Sequence, residues 1–369
     1  MMNSILILGG TGRIGRRVTQ DLLTHTTAEI TIAGRHPTKI SEPVKFLPLD
    51  LADISGLRQA VASANLVIHC AGPFHHRDAR VLQTCIETKV NYLDVSDHRS
   101  FTQKAIAFSD AAVKAGVTAI VNTGVFPGIS NSMARQCVEQ LDDPESIKIN
   151  YVVSGSGGAG LTVMRTTFLG LQAPFQAWLD GKWQAVKPYS DRTPVKFPPP
   201  FNRVGVYWYD MPETSSLARA FPVKTVITKF GSHPDFYNYL TWTVAHWFPQ
   251  KLLQNRNFIE RLSAISYRMT QVTDRFSGIG VAMQVECTGK KAGQLAHAAA
   301  TLIHEDTAAA AGCGTGSIAE LILANRLHKP GVWTTEQALP TDLFAETMRS
   351  RALDISQTFS SKVGGAHPT

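Results

Sequence analysis

A chain of 369 residues with 44% hydrophobic content can bury more core than one domain usually holds, so two domains are expected. The formal charge of +7 comes from Lys and Arg scattered along the chain, which argues against nucleic acid; an anionic cofactor, substrate or lipid headgroup accounts for it as well. No run of about 18 apolar residues and no charged leader with an apolar centre occurs, and the five cysteines have no paired spacing, so a reduced, cytoplasmic protein without a membrane span or structural zinc is expected.

The run ILILGGTGRIGRRV, Ile5 to Val18, carries the first functional signal. Four apolar residues, Ile5 to Leu8, predict a buried strand, and the segment from Ile14 to Leu23 predicts a helix. Between them Gly10, Gly12 and Gly15 stand in G-x-G-x-x-G spacing, with Thr11, Arg13 and Ile14 in the intervening places. On this spacing Gly10 permits the tight turn, Gly12 lets the backbone approach a pyrophosphate, and Gly15 lets the helix pack on the strand. The free N–H groups of the helix then point at the phosphates. An ordinary strand-turn-helix corner uses glycine too, but the context on both sides favours a dinucleotide.

The second strand, Glu29 to Ala33, bears on which dinucleotide. An NAD site places Asp or Glu at its end to accept from the ribose 2′-OH, whereas this chain has Gly34 and Arg35. A guanidinium matches a 2′-phosphate in charge and in its fork of donors, and Arg13 and Lys39 are near enough in sequence to join it. NADP (NADPH) is therefore expected over NAD, the alternative being that Arg35 is a solvated loop cation.

Strands and helices then alternate: a strand at Val44 to Leu49, a helix at Ile54 to Ala62, a strand in LVIHCAGP, a helix at Arg77 to Thr88, and strands in VNYLDVSD and VTAIVNTG separated by a helix at Phe101 to Ala115. This order predicts the α/β class, an N-terminal Rossmann, doubly wound parallel sheet of about six strands. Ligands of such sheets gather outside the carboxyl ends of the strands, where Cys70, Ala71, Gly72, Pro73, Asp94, Ser96, Asp97 and Asn122 fall; Asp50, ending the third strand, belongs near the adenine.

After Ile129 the texture changes. IKINYVVSGSGGAG and VGVYWYDMPE, split by a Pro- and Gly-rich stretch at 187–205, predict a second, α+β domain with a mainly antiparallel sheet, and VAMQVECTGKKAGQLAHAAATLI predicts a hairpin turning at Gly289 to Gly293. The expected division is a dinucleotide-binding domain at 1–130, completed by C-terminal helices at 312–355 that include TGSIAELILANRL, and a substrate domain at 131–311. The ending SSKVGGAHPT reads as a frayed tail.

VIHCAGPF, VNYLDVSDHRSF, TGVFPGISN, the SGSGGAG loop and the hairpin, in that order, resemble the saccharopine dehydrogenase-like family of NADP-binding oxidoreductases over most of the chain, most closely over residues 1–135. The resemblance implies a Rossmann domain that binds the dinucleotide and a middle domain that covers the nicotinamide and mediates homodimers. It implies hydride transfer between NADPH and an imine, as in members acting on amino acids, or an enone or alkene of a lipid-like metabolite. A protein that binds the dinucleotide as a structural or sensing ligand, without turnover, is the alternative. Short-chain dehydrogenases, whose glycine turn is similar, need a Tyr with Lys four residues on, and none of the eight tyrosines has it.

For the chemistry, His98 is the best candidate proton donor, because an unperturbed imidazole titrates near neutral pH, and Asp97 stands beside it; both could equally be structural loop residues. Cys70 reads as a small buried hydrophobe rather than a nucleophile. His75 and His76 alone cannot form a metal site, and no metal is expected. Arg165 is the candidate cation for a substrate carboxylate. The aromatic segment DFYNYLTWTVAHWFPQKLL, with Trp242 and Trp247, is open to three readings: core or dimer interface, cover for an apolar substrate, or peripheral contact with a membrane.

Overall fold

The computed structural model describes residues 3–36, 43–154, 161–277 and 280–361. In chain order the first elements are β1 (Ser4–Leu8), α1 (Arg13–His25), β2 (Glu29–Gly34), β3 (Lys45–Pro48), α2 (Ile54–Ala62), β4 (Leu66–His69), α3 (Arg80–Thr88), β5 (Asn91–Asp94), α4 (Arg99–Ile106), α5 (Ser109–Ala115) and β6 (Thr118–Val121). There follow α6 (Ile129–Val138), β7 (Asp143–Ser154), α7 (Leu161–Leu169), β8 (Phe175–Leu179), β9 (Lys182–Val186), β10 (Thr193–Lys196), β11 (Arg203–Trp208), α8 (Pro212–Ala220) and β12 (Thr225–His233). Next come α9 (Phe236–Trp247), α10 (Gln250–Leu253), α11 (Arg256–Ser277), β13 (Gly280–Lys291) and β14 (Gln294–His304). The chain closes with α12 (Thr307–Leu323), β15 (Gly331–Thr334), α13 (Thr335–Ala338), α14 (Thr341–Ser350) and β16 (Ile355–Ser361).

Two compact units result, one running to Ile129 and resuming over Ala308–Ala352, the other made of Ser130–Thr307 with the chain from Leu353 onward. In the first, seven parallel strands lie in the order β15-β6-β5-β4-β1-β2-β3. Leu66–His69 and Thr118–Val121 are buried throughout, as central strands of a parallel sheet covered on both faces must be. The connections reverse direction between β1 and β4, the point at which doubly wound sheets open a crevice. The sequence pattern accounts for six of these strands. The seventh, β15, is only four residues long and pairs with a partner some two hundred residues earlier, so no local signal announces it.

Two helices depart from the expected bounds. The one expected from Arg77 begins at Arg80, because the Asp78 carboxylate accepts from the Arg80 backbone N–H (3.3 Å) and from its guanidinium (2.7–2.9 Å). The one expected over Phe101 to Ala115 breaks in two where Phe108 N–H bonds three residues back, to Ala105, in a tighter turn.

α12 returns to the first unit along a seam of bare backbone. A Cβ on Gly312 would lie 2.7 Å from the Arg17 carbonyl carbon and one on Gly316 would lie 2.0 Å from the Asp21 carboxylate, so only glycine allows the helix this close to α1. Arg351, 1% exposed, then pairs with Asp21 (2.8 Å) and Glu320 (2.9 Å), locking α1, α12 and the end of α14 together.

The second unit is built on one large sheet in the order β10-β11-β12-β7-β13-β14-β16, with β8 and β9 attached through β12. Only β7 and β12 pair in parallel. The long hairpin of β13 and β14 turns at Ala292 and Gly293, both at positive φ (50° and 76°), the geometry that matches the twist of the flanking strands. Ser360 and Ser361, expected in a tail, instead pair with His297 and Ala296 as the end of β16; residues 362–369 lie outside the described residues.

The aromatic segment does not form core along its whole length. Tyr237 and Val244 are buried, but Phe236, Tyr239 and Trp247 are 56%, 56% and 74% exposed, which leaves a bare apolar face on α9. Among the described residues no helix is long and apolar enough to cross a membrane.

Candidate functional site

The glycine turn separates into packing glycines and one that faces outward. Gly9, at φ +76°, makes the tight turn itself, and its N–H donates to the Ala33 carbonyl (2.8 Å). Gly10 was expected to permit that turn; its role is instead clearance, since a Cβ there would lie 2.5 Å from the Ile32 side chain. Gly15 meets the expectation of close packing, because a Cβ would lie 2.4 Å from the Gly9 carbonyl oxygen and 2.7 Å from the Gly10 Cα. Gly12 differs from all three: its Cβ would meet nothing closer than the Gly9 carbonyl oxygen at 3.1 Å. Protein packing therefore demands less of position 12 than of 9, 10 or 15, since the turn would have to give by only a few tenths of an ångström, whereas a phosphate lying against the backbone would leave a side chain no room.

Gly12 is also the N-cap of α1, so no capping side chain serves the first-turn N–H groups, and no acidic residue occupies that turn. An uncapped helix N-terminus with its dipole uncompensated is an anion site in waiting. Thr11 turns its carbonyl oxygen to the Arg16 Nε (2.9 Å), which holds the loop, while Arg13 and Ile14 open the helix.

Arg35 stands exposed just past the end of β2, as the sequence predicts. Sequence reasoning missed its neighbour. Arg77 sends its Nε to the Ala71 carbonyl (2.9 Å), and its acidity is strengthened first by burial and then by the charge of Arg35. Arg35 and Arg77 thus lie within electrostatic reach of each other, with Asp78 and Asp50 offsetting and Arg80 adding to the repulsion on Arg77, and a bound anion would relieve it. The available signal was the cation following the FHH turn, but only folding brings it back beside β2. Asp50 follows β3 and accepts from the Ala52 N–H (3.0 Å). Lys39, the third expected cation, lies outside the described residues.

On the other side of β1, Cys70 N–H donates to the Leu8 carbonyl (2.8 Å), and Gly72 N–H to the Cys70 carbonyl (3.1 Å), so Cys70, Ala71, Gly72 and Pro73 curl over the end of β4. Burial pushes the Cys70 thiol up to about 12, with Asp94 adding to the shift, so it is a neutral filler at physiological pH. His69 is buried against the edges of Phe74, Tyr92 and Phe101, and desolvation drops its pKa to about 3; it is an uncharged core group.

The polar residues at the ends of β5 and β6 have divided roles. Asp94 Oδ1 accepts from Ser96 N–H (2.9 Å), Ser96 Oγ (2.6 Å) and Asn122 N–H (3.0 Å), and the Asn122 amide donates to the Ser96 carbonyl (2.8 Å). This fully buried network ties the strand ends and makes Asp94, Ser96 and Asn122 scaffold. Asp97 is pushed up to about 6 by desolvation and then by Asp94. His98, the N-cap residue of α4, shares a hydrogen bond through Nδ1 with Ser100 Oγ (2.9 Å) and another through Nε2 with His75 Nδ1 (2.8 Å), the two rings meeting edge to face. His75, which the sequence suggests only as a metal ligand, faces His98 instead, and among the described residues no cluster of three metal-ligating side chains forms.

In the second unit, Arg165 gives its Nε and Nη2 to Glu260 (2.8 and 2.6 Å). Its charge is met within the unit, which removes the reason for choosing it as a substrate anchor. The SGSGGAG loop lies, beyond Ser154, outside the described residues.

A glycine-turn anion cradle at the switch point of a doubly wound sheet, with Arg35 just past the end of the second strand, is the arrangement of a Rossmann-class dinucleotide-binding domain. Residues 5–120 match the family model described as saccharopine dehydrogenase NADP binding domain. The chain is 24% identical over 356 residues to a carboxynorspermidine synthase of Vibrio cholerae, covering 88% of this chain and 85% of that protein. Its fold resembles that of an apo saccharopine dehydrogenase (L-Glu forming) from Saccharomyces cerevisiae, with a TM-score of 0.71 and 16% identity over 97% of this chain and all of the other. An engineered D-amino acid dehydrogenase bound to NADP+ aligns with a TM-score of 0.50 and 14% identity over 96% of this chain and all of the other. Residues 5–120 thus match an NADP binding domain of saccharopine dehydrogenase type, and over most of its length the chain is similar to carboxynorspermidine synthase in sequence and to saccharopine dehydrogenase in fold.

Proposed function

We propose that this chain is an NADPH-dependent reductase of a carbon–nitrogen double bond, with the hydrogen-bonded pair His98 and His75 as its proton source. The observation that carries the reading is the 2.8 Å contact between the two imidazoles, with Ser100 fixing the far side of His98. A protein that only stores or senses a dinucleotide has no use for such a pair, and a neutral imine reduced to an amine needs one proton besides the hydride.

The backbone at Gly12 and the first turn of α1 would hold the pyrophosphate, Arg35 and Arg77 the 2′-phosphate, and the Cys70–Pro73 curl the nicotinamide ribose. When bound, NADPH supplies the hydride. The chain's own residues govern the proton. With both rings neutral, one hydrogen lies between His98 Nε2 and His75 Nδ1, so one ring donates and the other accepts. The pair can take up one further proton on an outer nitrogen and keep that contact; a second would turn both facing nitrogens into donors. Asp97, adjacent to His98 in the chain, is itself ionised only above a pH of about 6, because burial favours its neutral form. A single transferable proton is thus held next to the strand ends where the substrate would sit.

The test is turnover of NADPH with an aldehyde or 2-oxo acid alone, an amine alone, and the two together. Consumption only with both present supports C=N reduction; equal consumption with the carbonyl compound alone overturns it. His98→Ala and His75→Ala should each lower kcat by about 10²–10⁴ with unchanged NADPH affinity, and the double variant should fall little further, since the pair acts as one donor.

A further inference from the structure

α9 and α11 run antiparallel in the second unit, linked through side chains at one end by the Tyr237 hydroxyl and Thr273 Oγ1 (2.6 Å) and at the other by the Phe248 and Phe258 rings (centroids 5.9 Å apart). Their buried sides are ordinary: Tyr237 and Val244 on α9, Ile259 and Ser263 on α11. Their solvent sides are not. On α9 the exposed positions Phe236, Tyr239, Leu240 and Trp247 recur at helical spacing. On α11 the exposed stripe reads Arg261, Ile265, Arg268, Val272, Arg275, with Met269 beside it; Ile265 is 57% and Val272 69% exposed.

So many large apolar side chains exposed along two linked helices mark a contact surface. Charge identifies what it contacts. Between Phe236 and Ser277 stand five cations, Lys251, Arg256, Arg261, Arg268 and Arg275, all exposed, against two carboxylates, Glu260 and Asp274, and Glu260 is already paired with Arg165. A second copy of the chain, seated isologously, would set this basic face against itself. A folded partner would bury the arginines, whereas a bilayer lets their stems lie along the acyl boundary and their heads reach the phosphates, with Trp and Tyr at the same depth.

We propose that the outer face of α9 and α11 docks this protein on the surface of an anionic lipid bilayer. The apolar residues enter the headgroup boundary, and Arg261, Arg268 and Arg275 neutralise lipid phosphates beside them. The helices lie in the plane of the surface, consistent with the absence, among the described residues, of a helix able to span it. The interaction is independent of the proposed reduction, since it uses no residue of the dinucleotide site.

Flotation of the full chain with vesicles of phosphatidylcholine, or of phosphatidylcholine mixed with phosphatidylglycerol, tests it. Binding to the mixed vesicles alone is expected, lost on raising the salt. The triple change Arg261→Glu, Arg268→Glu, Arg275→Glu should weaken binding by about tenfold or more. The pair Trp247→Ser, Val272→Ser should also abolish flotation, with the melting temperature and NADPH affinity of both variants unchanged. No flotation, or equal binding to neutral vesicles, overturns the proposal. So does a stable dimer, seen by sedimentation velocity, that either variant dissociates, because the face then belongs to a second copy.

Discussion

The carboxyl ends of the parallel sheet and the outer face of α9 and α11 both meet solvent, but they are built on opposite plans. At the strand ends Asp94 Oδ1 alone accepts three hydrogen bonds, His98 has a partner on each ring nitrogen, and glycines set backbone clearances to tenths of an ångström. On the helical face the arginines have no ion-pair partners among the described residues, and the apolar groups pack against little. The first plan suits a rigid ligand with a fixed pattern of charge. The second suits a surface without a fixed pattern, for which composition along a face is enough.

The sharpest way to break the contrast is through the buried ion triad that anchors α1. Arg351→Met should destabilise the first unit by about 3–5 kcal/mol, because it leaves the buried Asp21 carboxylate without its cation, while the partly exposed Glu320 can turn to water; urea unfolding followed by circular dichroism measures this, and a loss under about 1 kcal/mol would mean the triad is not what holds the cradle. Gly12→Val tests the cradle itself. It should keep a native melting curve and weaken NADPH binding by at least about a hundredfold, or 2.7 kcal/mol, whereas Gly15→Val should fail to fold because its side chain would collide with backbone. Normal NADPH affinity in Gly12→Val would reduce the glycine turn to a structural corner.

Arg35→Ala and Arg77→Ala sharpen the cofactor assignment. Each should cost NADPH about ten- to a hundredfold in affinity, or 1.4–2.7 kcal/mol, and leave NADH unaffected in fluorescence titrations. Asp97 gives a pH signature. Its pKa is raised from 3.8 to about 6 on folding, so the native state favours the protonated form; this destabilising contribution is absent below pH 3.8, grows through the interval to pH 6 and is complete above it. Asp97→Asn should therefore gain stability over the wild type at neutral pH, on the order of 1–3 kcal/mol, and lose that gain at the acid end. The smallest effect belongs to the helical face: Trp247→Ala should change stability by about 0.5 kcal/mol or less, where a buried tryptophan would cost about 3–5 kcal/mol.

Much of the first unit could be read without coordinates, because its signals are local. A buried parallel strand is a short apolar run, a phosphate-facing turn needs glycines at fixed offsets, and the end of β2 lies one residue from Arg35. The same locality misassigned the turn to Gly10, since which glycine takes the positive φ and which merely clears Ile32 depends on β2, outside the motif. The candidate site was legible in part for the same reason. His98 stood out by residue type and position, but its pairing with His75 requires two loops from neighbouring strands to meet, and Arg77 acquires meaning only beside Arg35.

By itself the sequence determined the fold class, the dinucleotide cradle and the presence of a second, sheet-based region, since each follows from periodicity or spacing within a few tens of residues. Tertiary structure alone decided that β15 completes the parallel sheet, that β16 joins the other sheet, that Glu260 claims Arg165, and that Tyr237 is buried while Trp247 is exposed. Those outcomes depend on which distant surface covers a side chain, and covering is a property of the packed chain that no window of sequence contains.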